Sequence, residues 1–77
     1  MNRSDLHDSV IDSVCIYIHD KPYVVINYHY MSSDNDFLYE LYDVNKKETS
    51  GVELSTLVVL HKEDTLVITT PPETHKE

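Results

Sequence analysis

Apolar positions along this chain recur first at helical and then at strand spacing. Over residues 4–13, Leu6, Val10 and Ile11, continued by Val14, fall on one side of a helix, and Asp5, Asp8 and Asp12 fall opposite. The spacing predicts a short amphipathic helix with an acidic outer row. Ser4 is the expected N-cap, and Asp5 sits favourably in the first turn.

From Val14 the period becomes two. "VCIYIH" sets Val14, Ile16 and Ile18 on one face, and "YVVINYHY" sets Val24, Ile26, Tyr28 and Tyr30 on one face. A turn over Asp20-Lys21-Pro22 that pairs His19 with Tyr23 makes these faces coincide. Pairing Tyr30 with Phe37 across the polar loop Met31–Asp36 then adds Phe37, Tyr39 and Leu41, giving a three-stranded meander over residues 14–44. The opposite face carries Tyr17, Tyr23, Val25, Leu38 and Tyr42 among polar neighbours. Further on, "VEL" reads as a short extended piece, and "LVVLHKEDTLVITT" reads as a hairpin over residues 57–70 turning at Lys62-Glu63-Asp64.

These elements predict one mainly β domain of the α+β kind over residues 1–70, with 71–77 as a flexible tail after Pro71-Pro72. Five or six short strands in so small a chain form either a small antiparallel sheet or a partly open barrel. Over about 20 residues the stretch "YDVNKKETSGVELSTLVVL" resembles the middle of SH3-like and Tudor-like small barrels, without a diagnostic motif, so the sheet and the partly open SH3-like barrel both stand.

Composition narrows the function classes. A 77-residue chain buries only roughly 60% of the surface its unfolded form exposes, so little apolar area can be left unused. Its single cysteine, Cys15, excludes an intrachain disulfide and fits a reducing cytoplasm. The N-terminal stretch lacks the apolar run of a signal peptide, and no segment approaches a membrane span. The net charge is −8, with only six Lys and Arg side chains, which argues against direct contact with nucleic-acid phosphates. Residues 1–43 hold eight acids and two bases, residues 44–77 six and four, so a basic partner would meet the first half.

Catalytic and metal-binding signatures are missing. The five histidines include no HxxxH pair, and there is no CxxC. On the expected hairpin His19 and His29 lie ~17 Å apart, too far to share an ion. Cys15 falls inside a strand, away from any helix N-terminus, and Gly51, the only glycine, excludes the phosphate-cradling loops. Abundant carboxylates make a general acid only where a pocket raises a pKa, and a chain of this size rarely encloses one.

Two features remain as candidate sites. One is acidic: Asp5, Asp8 and Asp12 on the helix with Asp34 and Asp36 in the loop, suited to steering a basic partner. The other is the aromatic and apolar set Tyr17, Tyr23, Val25, Leu38 and Tyr42, of the type found at interfaces. The expectation is a small, non-catalytic, cytoplasmic binding protein without cofactor or metal. It would act as an inhibitor or modulator docking on a basic protein surface, including that of a nucleic-acid enzyme, by compositional analogy with phage or mobile-element inhibitors and DNA mimics. The alternative is a structural or adaptor subunit, homodimeric through the Tyr/Val face or a β-edge.

Overall fold

A computed structural model describes residues 2–71. The element order is α1 (Arg3–Ile11), β1 (Cys15–Ile18), β2 (Lys21–Met31), β3 (Asp36–Asp43), β4 (Glu48–Glu53), α2 (Leu54–Lys62) and β5 (Leu66–Thr69). The strands form one antiparallel sheet in the order β4-β3-β2-β1-β5, and the sheet is open, not a closed barrel. Apart from Pro71, the expected tail lies outside the described residues.

The first helix is capped two residues earlier than expected. Asn2, as good a cap as serine, accepts the Asp5 amide on its side chain at 2.8 Å and leaves Ser4 inside the first turn. Leu6 and Val10 are buried, whereas Ile11, 100° around the helix from Val10, and Val14, beyond the end of the helix, are exposed.

The β1–β2 turn is tighter than the sequence pattern implies. His19 and Asp20 both take positive φ, 52° and 67°, and form a two-residue turn that pairs Ile18 with Lys21 and Ile16 with Tyr23. This shifts the expected register by three residues, an odd number that inverts the faces, so Tyr23 and Val25 pack on the core while Val24 turns to the other face. A bulge at Ile26 then inserts one extra residue into β2. Tyr28 returns to the core face opposite Tyr39, and Tyr30 pairs with Phe37, as the meander pattern predicts.

The expected hairpin over 57–70 is instead α2 followed by β5. Leu54 and Leu57 are buried, with Val58 half-buried beside them and His61 one turn on, a spacing of three and four. The Val58-Val59 pair suggested a strand, but valine costs a helix only a few tenths of a kcal/mol, less than burial of two leucines returns. The supposed turn residue Asp64 terminates the helix. It adopts φ 61° while its amide donates to the His61 carbonyl and the Thr65 amide to the Leu60 carbonyl, the two bonds of a Schellman motif.

Because β4 and β5 lie at opposite edges, α2 carries the chain across one face of the sheet. The core sits there: Leu6 and Val10 of α1 and Leu54 and Leu57 of α2 close over Ile16, Tyr39, Leu41 and Leu66. The architecture is two-layered, with both helices on one side.

Candidate binding surfaces

The acidic set divides by burial. Asp5, Asp8 and Asp12 are exposed along α1 and its C-cap, and Asp34 is exposed in the β2–β3 loop. Asp36 is only 6% exposed and is engaged internally. Its carboxylate accepts the Arg3 guanidinium at 2.8 Å, the Phe37 amide at 2.9 Å and the Ser55 amide at 3.3 Å. Burial alone would push this carboxyl up, but bonds from the Ser55 hydroxyl and amide, the Phe37 amide and Arg3 outweigh it and hold the pKa below the ordinary value. Glu53 makes no side-chain cap on α2, so Asp36 serves that helix N-terminus from β3. It is a structural residue and is not free to steer a partner.

The aromatic and apolar set is divided by the β1–β2 register. Tyr17, Leu38 and Tyr42 lie on the face without helices, whereas Tyr23 and Val25 pack against the core beneath the helices. Val24 and Val67 join the uncovered face: Val24 pairs with Tyr42, and Tyr17 lies between Val67 and Pro22. Val67 is 55% exposed and Tyr17 37%. The α1 acids and this apolar face therefore point away from each other across the two layers.

A third arrangement was hidden in the sequence. His7 of α1 stacks on Phe37 with centroids 4.1 Å apart and meets Tyr28 edge-on at 5.5 Å. Its Nδ1 bonds the buried Tyr39 hydroxyl at 2.6 Å, and burial, reinforced by the Asp36 charge, pushes that phenol upward. Tyr30 packs edge-on against Phe37 and donates its hydroxyl to Asn35. Beside these rings Arg3, Asn35 and Leu54 complete a shallow groove of about 200 Å³. The aromatic residues were each legible as core-facing, but nothing in the pattern brings Arg3 and His7 to them, since that depends on where α1 crosses the sheet.

Chemically, these are open contact surfaces of rings, amides and carboxylates. Among the described residues no three His, Cys, Asp or Glu side chains converge as metal ligands, and no helix is long and apolar enough to cross a membrane. Comparison with known proteins finds no matching family model, no similar curated protein and no similar solved structure.

Proposed function

We propose that this chain is a small non-catalytic binding protein that docks on a basic surface of a partner protein and modulates it. The supporting observation is the exposed acidic group. Asp5, Asp8, Asp12 and Asp34 stay in solvent, and the Arg3–Asp36 pair is the only salt bridge among the described residues. Carboxylates at helical spacing repel one another mildly, a cost that a charged docking surface offsets when it meets cations. A nucleic-acid-handling enzyme is the partner class whose cationic surface such carboxylates suit best, by imitation of phosphate charge.

The test is affinity capture at low and high salt, using the native chain and a variant with Asp5, Asp8 and Asp12 changed to Lys. Docking on a basic surface should weaken steeply with salt, fail in the variant and be competed by duplex DNA. A partner retained equally under all these conditions would sink the reading.

The uncovered face supports a second reading, an adaptor or structural subunit that self-associates through Tyr17, Val24, Tyr42 and Val67. Sedimentation equilibrium should then show a salt-insensitive dimer that Val67→Glu disperses, and a native chain that stays monomeric throughout would remove this reading.

A further inference from the structure

The upper half of β2 is a strand edge left unpaired among the described residues. β1 covers β2 only at Lys21, Pro22 and Tyr23, whereas β3 pairs with it as far as Met31. All five residues from Ile26 to Tyr30 are exposed, although alternation turns Tyr28 and Tyr30 toward the helix layer. Tyr28 is 43% exposed and Tyr30 51%. The backbone amide of Tyr28 donates to its neighbour's side chain, Asn27 Oδ1, at 2.9 Å, so a local amide stands where a strand partner's carbonyl would. By the two-residue period the Tyr30 amide faces the same way. The segment Ile26–Met31 contains no Lys, Arg, Asp, Glu or Pro, and so lacks the charges and prolines that usually protect an edge.

We propose that this edge accepts an extended, basic segment of a partner protein as a sixth strand. Charge selects the occupant. Helix α1 packs over the same face with its His7 ring against Tyr28, so its exposed acids add negative charge to the layer above this edge, and Asp34 stands in the loop at the far end of the edge. Two copies pairing here would set two such layers together in chains of net charge −8, so a second copy is disfavoured. In a basic strand the backbone bonds Tyr28 and Tyr30 while alternate Lys or Arg side chains lie over the two exposed rings. This inference rests on the basic-partner reading and adds the mode of contact.

The test uses the full chain, isotopically labelled, and a capped alternating lysine–valine hexapeptide, with two controls. One is the same peptide N-methylated at every residue, which keeps the charge and removes the backbone donors; the other replaces each lysine by glutamate. At millimolar concentration the lysine peptide should slow amide exchange at Tyr28 and Tyr30 at least tenfold, and neither control should. Equal binding by the N-methylated peptide, or shifts confined to α1, would overturn strand addition and leave docking on a basic surface standing. Equal protection by the glutamate peptide would overturn both. Lack of protection with every peptide, or protection that rises with protein concentration alone, would overturn the inference, the latter by assigning the edge to a second copy.

Discussion

Asp36 joins three parts of the molecule at a single carboxylate: it begins β3, receives Arg3 from α1 and receives the Ser55 amide at the start of α2. Asp36→Asn keeps the size but loses the charge, and an amide cannot accept all of these bonds. We expect a loss of about 1–3 kcal/mol at neutral pH, measured by urea unfolding. Because the folded-state pKa is lowered, the stability contributed by Asp36 is fully present above the unfolded-state value of roughly 4. It is lost as pH falls through the lower folded value. The gap between native and variant stability should therefore close on acidification below about pH 4. A gap independent of pH would mean that the carboxylate charge is not what holds the three elements together. The sequence offered Asp36 only as one more loop acid, since its burial depends on where both helices cross the sheet.

At the level of elements, the β2–β3 pairing was legible because its alternation is long and a polar loop separates the two runs. The β1–β2 register was not, because a two-residue turn with positive φ usually declares itself through Asn or Gly, and here His19 and Asp20 carry it. The bulge at Ile26 restored the expected faces beyond it, so the three-residue slip of β1 inverted only the faces of Tyr23 to Val25. For α2, the β-branched pair and the charged Lys62-Glu63-Asp64 run resembled a hairpin, while the decisive leucines at 54 and 57 straddled the supposed strand boundary. Two substitutions separate the alternatives. Val59 is exposed on α2, so Val59→Ala should stabilise by roughly 0.5 kcal/mol through helix propensity, where a strand would be weakened. Asp64→Gly relieves a left-handed residue at the helix end and should stabilise by about 1 kcal/mol, read as a higher urea midpoint with unchanged slope. Destabilisation by Val59→Ala would contradict the helical state of this segment, and destabilisation by Asp64→Gly would contradict the Schellman ending of α2.

The whole molecule combines a one-sided core with a large negative charge. Exposed carboxylates repel each other in the compact state, so stability should rise as sodium chloride screens them from about 10 mM, where the Debye length is ~30 Å, to physiological strength, where it is ~8 Å. A falling melting temperature over that range would show that attractive pairs, not repulsion, dominate the native charge pattern. The same crossing of α2 over the sheet also orders events in time. β2, β3 and β4 pair with their chain neighbours, but β1 obtains its second partner only from β5, with Ile16 opposite Ile68. Closing so long a loop carries an entropic cost, so the local meander can form early while the outer strand docks late. During synthesis the first strand must wait, its second edge unpaired, until Leu66–Thr69 has left the ribosome.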